Sequence, residues 1–579
     1  MTPQAKPEPP PVAAPRATAH PRSRARAGDL GRSGVPRWLL AIVVALPLAL
    51  FSIDLGTPSL WDPDEGLAAE VAREMLLTRQ WLTPQLNFAP YTEKPPLYFW
   101  ALAAAMRAFG VRNEAAIRLP SVLLSIAGVW LTLSWGWRHL RPVAGTFAAL
   151  VLATSAGYVA IGRLGIDDAA AGVLLSIAML GMSEPLLSRR AGFPWLFYLA
   201  LGGAILSFGV AAVLLPAAVA LLFGALLREP GRWLDLRPFR GLGVLCALVA
   251  PVLGLAAARD PGYVRALVFE HNLIRFLDPA FDDSHSYSIV AFAGIVPLLM
   301  LPWGVFLPWS LRDAGRSGGE RSREARLYLI AWLAGDLLFF VASAANVVAY
   351  VVIALTPLAL LTGRAIARFL RRPRAASVFG DPLLLGSGLL FVVVLAIPFL
   401  TRRLLQNEYP TYADKLVFSF LLIPLAGVGI GAVARRNRIG ALGVVALCGA
   451  LTLSGSYHFG SATVSAYNSM EAPADMIAER LPANASIVSY GTTSHTLAFY
   501  SGRPVRLLAS AADAGPLLND SAPVALLTKE RFLADVRAEL RQPLYLWWMG
   551  DSKKVLLANL PPPPKGDRRI LLPGQPGGS

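Results

Sequence analysis

Charge is scarce in this sequence. Asp, Glu, Lys and Arg make up only 16% of its 579 residues, where a soluble chain of this size carries roughly 25%. That shortage excludes an ordinary soluble enzyme. Cysteine is nearly absent: Cys246 and Cys448 both lie inside apolar runs, which excludes a disulfide framework. The C-terminal part of the chain lacks a glycine-rich phosphate loop or a metal motif, and no nucleotide cofactor is expected. Nothing repeats with a period of about 20 to 50 residues, which excludes a solenoid. What fills the chain is apolar: 55% of it is hydrophobic, and runs long enough to cross a bilayer recur along most of its length. The net charge of +16 comes mainly from arginines in short tracts between those runs. That pattern sets membrane topology and does not point to nucleic acid.

Residues 1–37 are rich in Pro, Ala and Arg and read as a disordered cytoplasmic tail. The first apolar run, Trp38–Phe51, lacks a small-residue cleavage site and leads into further spans, so it reads as a retained helix. With the basic tail inside, that helix runs outward and ends near Ile53. The next basic hinge, WRHLRP at Trp137–Pro142, belongs inside. Two apolar stretches lie between, Tyr98–Phe109 and Leu119–Trp135. If both crossed, the hinge would land outside. The shorter one, flanked by Arg107 and Arg112, is therefore expected to lie in the interface. DEGLAAEVAREML reads as a second interfacial helix, with Leu67, Val71 and Met75 on one stripe and Glu70, Arg73 and Glu74 on the wet side.

The remaining hinges then fall inside, and thirteen crossings result. Outer loops are expected at 54–117, 162–168, 258–288 and 401–414. After about residue 456 the pattern changes to alternating short strands and helices, which argues a small α/β domain on the outer side. The expected fold is thus an all-α polytopic membrane domain plus a small C-terminal extracytoplasmic α/β domain. About thirteen transmembrane helices and two juxtamembrane helices in the first outer loop make up the former. The boundaries are a tail at 1–37, a membrane domain at 38–456, the α/β domain at 457–560 and a loose tail at 561–579.

The outer loops hold the chemistry. The first has Asp62, Asp64, Glu65 and then YTEKPPLYFW; the second has GRLGIDDA with Arg163, Asp167 and Asp168; the third has FEHNLIRFLDPAFDDSHSY. Each carries acids beside a Lys, Arg or His. Carboxylates near a membrane surface facing Lys94, Arg163 and Arg275 suit an anionic lipid-linked substrate. The plainer reading makes Asp64 a helix N-cap, Lys94 a snorkelling cation and Glu70 a solvated residue. A transporter or flippase is the reading from another class. It calls for ionisable groups within the spans, and Asp336 is the main one there. A noncatalytic sugar-lipid binding protein is the third.

WDPDEGLAAEVAREML, followed by WLTPQL and YTEKPPLYFW, resembles the first outer loop of the bacterial lipid A aminoarabinose transferases. These belong to the broader GT-C group of membrane glycosyltransferases that use polyprenyl-phosphate sugars, with the protein O-mannosyltransferases as relatives. A weaker likeness runs through Asp168, EHNLIRF, LPWGVFLPW and YVVIALTPLALL. The resemblance implies a glycosyltransferase of the bacterial inner membrane, with the N-terminus cytoplasmic and the C-terminal domain periplasmic. It implies an undecaprenyl-phosphate-linked donor and a lipid A, glycan or protein acceptor, with membrane lipids as surroundings. Residue by residue, it makes Asp64 the catalytic acid of the first loop and Asp168 that of the second. It assigns Lys94, Arg275 and Tyr350 to the carrier phosphate; the charge pattern of the outer loops adds Glu65 and Arg163 as supporting substrate contacts. It assigns Glu93 and His271 to a divalent metal. The sequence departs from the family where Phe208 and Asn346 replace lysines, and both departures bear on substrate choice.

Overall fold

The first apolar run folds as α1 (Arg37–Ser52), an apolar helix that ends where the turn at 53–56 begins. The computed structural model describes residues 34–188, 192–274, 289–316, 320–342, 351–371, 437–550, 552–562 and 570–571. Both helices expected in the first outer loop are present, as α2 (Asp64–Thr78) and α3 (Leu97–Phe109). The chain then enters α4 (Glu114–His139), whose N-cap Asn113 accepts from the Ala116 amide.

Next come α5 (Pro142–Ala153) and α6 (Ala156–Gly162), bent by 60° at the break between them. The bend has a local cause. The Thr154 and Ser155 hydroxyls donate to the carbonyls of Leu150 and Val151 four residues back, competing with the helix ladder. The freed Ala156 amide donates to Leu301 O. Then follow α7 (Asp167–Leu187), α8 (Trp195–Phe208), α9 (Leu214–Leu227) and α10 (Pro238–Arg259). The expected division of Phe193–Leu227 falls at Gly209, whose φ of 122° ends α8.

Among the described residues, six helices are long and apolar enough to cross a membrane, or seven with the bent pair counted as one span. The helix Val351–Arg371 sits at the centre, buried along most of its length. By contrast α10 exposes most of its apolar surface, as a lipid-facing helix does. Two of the expected crossings fall between residues 372 and 436, outside the described residues.

The basic hinges gather at one end of the helices. Arg138 pairs with Glu184 at 2.7 Å, Arg232 donates to Leu186 O, and Arg364 pairs with Asp313 at 2.7 Å. Each contact joins helix ends that the arginine rule sends to the same side. The start of α7 lies at the other end of that helix, with the first loop.

The last long helix, Arg438–Asn468, leads into the α/β domain. Its six-stranded sheet has β3 (Ser486–Tyr490), β4 (Val505–Leu508), β5 (Val524–Lys529), β6 (Leu544–Met549), β7 (Lys554–Ala558) and β8 (Ile570–Leu571). They are ordered β4-β3-β5-β7-β6-β8. The first three are mutually parallel and the rest antiparallel. β1 (Gln85–Leu86) and β2 (Ala89–Pro90) form a small hairpin in the first loop.

The α/β domain shares a core with that loop. Leu60, Ala68, Phe99 and Met106 pack in one cluster with Met470, Ile477, Leu497 and Trp547. This contact corrects the expected wet side of α2: Glu70, Arg73 and Glu74 are all buried. Arg73 binds Glu70 through two bonds of 2.7 and 2.6 Å, and Glu74 accepts the Phe88 amide at 2.9 Å. The helix is covered on both sides, so its polar stripe is enclosed by protein and not solvated.

Candidate active site

Three chain segments meet around Lys94. The turn Tyr91–Pro96 carries it, α2 brings Asp64, and the first turn of α7 brings Asp167 and Asp168. The Lys94 ammonium lies 2.5 Å from Asp168 Oδ1 and 3.2 Å from Asp167 Oδ2. It also sits over the Phe208 ring, 5.0 Å from the centroid. Both Asp side chains stand at the start of a helix, where unpaired amides favour negative charge. The residue that replaces a family lysine thus packs directly against the lysine the family resemblance assigns to phosphate. Tyr263, on a short turn after α10, reaches the Lys94 carbonyl with its hydroxyl at 3.4 Å.

Asp64 opens α2 and faces outward. Surrounding protein is the largest influence on its carboxyl and pushes it above the ordinary carboxylate range. Asp168 adds to the rise, Lys94 opposes it, and Glu65 and Asp62 add smaller contributions. A carboxylate with a raised pKa within electrostatic reach of an ammonium is equipped to take a proton.

Glu65 and Arg163 lie elsewhere. The Glu65 carboxylate is 2% exposed and binds Arg118, which donates from Nε and Nη2 at 2.8 and 2.7 Å. It also accepts the Gly165 and Trp61 amides at 2.8 and 3.2 Å. Glu65 therefore ties α2 to α4 and to the second loop, with Arg118 further anchored on the carbonyls of Leu55, Pro58 and Ser59. Arg163 donates to Leu50 O and Ile53 O at the C-terminal end of α1, where free carbonyls welcome a cation. Its guanidinium stacks 3.7 Å from the Tyr457 ring centroid and lines a separate cavity of about 270 Å³ with Trp61 and Ser461.

Glu93 precedes Lys94 in the same turn. His271 arrives on a π-helical segment, Ala266–Ile274, and shares a hydrogen bond of 3.0 Å with the Thr92 hydroxyl. Among the described residues, no three His, Cys, Asp or Glu side chains group closely enough to hold a metal. Arg275 and Tyr350, like Asn346, lie outside the described residues.

The sequence showed Asp167 only as the neighbour of Asp168 and gave no role to Arg118 or His495. Arg118 hides in the first turns of a membrane helix, and only its place opposite a buried acid reveals its partner. Asp167 forms an ion pair with Lys94 beside its neighbour Asp168. His495 comes from the α/β domain; burial holds its imidazole below the ordinary value, against the pull of Asp62, Glu70 and Glu93.

Comparison with known proteins bears on the family and the fold. Residues 93–254 match the dolichyl-phosphate-mannose-protein mannosyltransferase family. The undecaprenyl phosphate-α-4-amino-4-deoxy-L-arabinose arabinosyl transferase of Pseudomonas aeruginosa strain UCBPP-PA14 is 31% identical over 398 residues. That is 67% of this chain and 69% of the relative. The enzyme of the same name from Aeromonas hydrophila is 29% identical, over 61% of this chain and 65% of its own. Among solved structures, ArnT from Cupriavidus metallidurans bound to undecaprenyl phosphate superposes with a TM-score of 0.77 at 22% identity. The match covers 90% of this chain and 98% of that one. It shows that the membrane helices and the C-terminal domain follow the same fold.

Proposed function

The chain belongs to the undecaprenyl phosphate-α-4-amino-4-deoxy-L-arabinose arabinosyl transferase family, and on that premise we propose that it moves a sugar from undecaprenyl phosphate to an envelope acceptor. It is a multi-pass membrane glycosyltransferase with a lipid-linked sugar donor. The proposal extends to placement: bacterial inner membrane, thirteen crossings, N-terminus cytoplasmic, and both the site and the α/β domain on the periplasmic face. The Lys94 cluster carries the reading. An ammonium held by two carboxylates, with a third carboxylate of raised pKa within electrostatic reach, offers a phosphate-binding cation and a base on one side of the protein.

The reaction is displacement at the anomeric carbon. As the bond to the carrier breaks, negative charge gathers on the phosphate's bridging oxygen. Lys94 faces that charge, joined by Arg275 and Tyr350 in the family assignment. A fixed donor aimed at developing charge contributes about 3 kcal/mol. Lysine supplies a compact point charge, and arginine a fork matched to phosphate oxygens. Asp64 accepts the proton of an attacking hydroxyl; where the acceptor is itself a phosphate, it orients the nucleophile. Attack from the face opposite the lipid inverts the anomeric centre. Asp168 holds Lys94 until the phosphate arrives and then faces the same pocket of charge. A divalent ion at Glu93 and His271 would need ligands beyond the described residues, such as donor phosphate oxygens. No step above depends on it.

Phe208 in place of the family lysine makes the surroundings of Lys94 less cationic, so the sugar and acceptor are best read directly. Mass spectrometry of lipid A, envelope glycans and membrane glycoproteins, with and without the gene, tests the proposal. A gene-dependent sugar on one of these supports it and names both substrates. Gene-dependent movement of an unmodified sugar lipid, with no product formed, would favour a flippase.

A further inference from the structure

The carboxylate of Asp62, two residues before Asp64, faces away from the Lys94 cluster and into the α/β domain. Its Oδ1 accepts the backbone amides of His495 and Thr496 at 3.0 and 2.9 Å. Its Oδ2 accepts the hydroxyls of Ser494 and Thr496 at 2.6 and 2.8 Å and lies 3.5 Å from the Lys554 ammonium. All of its acceptor capacity is thus taken up by a domain more than 400 residues away in sequence. The backbone is held as well: the Asp62 amide donates to Asn468 O at 3.0 Å.

The fit around this contact is close. A Cβ on Gly66 would stand 2.7 Å from the Thr496 amide nitrogen and from its methyl. The Leu60 amide donates to the Tyr500 hydroxyl at 2.8 Å, and that hydroxyl donates to Glu114 at 2.9 Å. Ser59 donates to Glu471 at 2.6 Å, and the Trp61 indole to Ser465 at 3.1 Å. Every residue from Ser59 to Asp62 is therefore bonded to the C-terminal part of the chain. Asp64 is the next side chain that could reach a substrate, and it begins a helix whose first turn has no side-chain cap.

We propose that Asp62 is a positioning residue, through which the α/β domain fixes the start of α2 and holds Asp64 at the distance from Lys94 that transfer requires. This rests on the reading of Asp64 given above. It gives the α/β domain a part in the reaction without placing any of its groups on the substrate. Charge-assisted bonds from four donors set a direction as well as a distance, so loosening them moves Asp64 while leaving Lys94, carried by a different segment, in place.

The test uses the full-length protein with two readouts. One is affinity for undecaprenyl phosphate in detergent micelles; the other is the rate at which the gene-dependent sugar product forms in membranes of a host lacking its own copy. Asp62→Ala is expected to slow product formation at least 10-fold while undecaprenyl phosphate affinity changes less than twofold. Asp62→Asn keeps an oxygen for the two amides and turns its NH₂ to the hydroxyl oxygens, so it is expected to recover to within threefold of wild type. Ser494→Ala/Thr496→Ala, cutting the same contact from the other side, is expected to reproduce part of the loss. A wild-type rate in Asp62→Ala overturns the proposal. So does a parallel fall in affinity and rate that Asn fails to restore, because that pattern marks general loss of the fold. Full activity in Asp64→Asn would sink the reading of Asp64 itself, and this proposal with it. Loss in Asp64→Asn beside a wild-type rate in Asp62→Ala sinks the proposal alone.

Discussion

Glu65→Ala removes one half of a buried ion pair. Arg118 and Glu65 have side chains 1% and 2% exposed, and they are joined by two short bonds. The truncation leaves the Arg118 charge buried with only the carbonyls of Leu55, Pro58 and Ser59 as acceptors. It also strips the Gly165 amide of its acceptor. Removing one partner of such a pair typically costs about 3 to 5 kcal/mol, and the orphaned amide adds about 1 kcal/mol. Equilibrium unfolding in mixed detergent and SDS micelles reads the change directly. The double variant Glu65→Ala/Arg118→Met removes the uncompensated charge. It should be more stable than the sum of the two single losses implies, by at least about 1.5 kcal/mol. Additive single losses, or a Glu65→Ala protein as stable as wild type, would refute the assignment of Glu65 as an anchor. The same variants separate anchoring from substrate contact. Glu65→Gln, which keeps the shape, should retain undecaprenyl phosphate affinity while losing stability.

Further outcomes follow from the same geometry. Because the Asp64 carboxyl is raised above its ordinary value and acts deprotonated, product formation should fall as pH drops through that raised value. Asp64→Asn should abolish the acidic limb along with most of the rate. Glu74 is pushed up to about 7, chiefly by burial, so its folded form holds a proton more tightly than the unfolded chain does. Its contribution to stability is complete below about pH 4.5 and is lost as pH rises through 7. Glu74→Gln should therefore match wild type in unfolding experiments at pH 5 and exceed it at pH 8. Phe208→Leu removes the ring beneath Lys94; a cation–π contact is worth about 0.5 to 2 kcal/mol. Stability should fall by about that amount, and undecaprenyl phosphate affinity should shift by no more than about 30-fold. A larger loss would mean that Phe208 touches the ligand itself.

The arginine tracts made much of the membrane domain readable. Parity, shortness and the flanking arginines together marked Tyr98–Phe109 as a non-spanning helix, and the 13-residue α3 occupies that stretch. Five of the sheet strands were legible as alternating or apolar runs between turn residues. The short helices His495–Ser501 and Ala511–Leu518 were not, because neither is long enough to show a periodicity. The bend between α5 and α6 has no Pro or Gly at the break; it depends on hydroxyls whose local and helical bonds compete. Asp64, Lys94 and Asp168 were legible because the loop motifs that carry them are local. Their mutual geometry was not, because it depends on where α7 begins relative to the turn at Lys94. Least legible was the role of Asp62 and the burial of Glu70, Arg73 and Glu74. On α2 taken alone these are polar residues facing water. What covers them is a domain that the sequence places hundreds of residues later, and pairing across such a separation leaves no mark in either stretch.

Lys94 is the group on which binding of the donor turns. The decisive measurement is binding of radiolabelled undecaprenyl phosphate to Lys94→Ala and Lys94→Arg, alongside product formation in host membranes. Lys94→Ala is predicted to lose both affinity and product, and Lys94→Arg to keep part of the affinity, since the cation remains. Unchanged affinity and full product formation in Lys94→Ala would contradict the claim that this cluster holds the donor's phosphate.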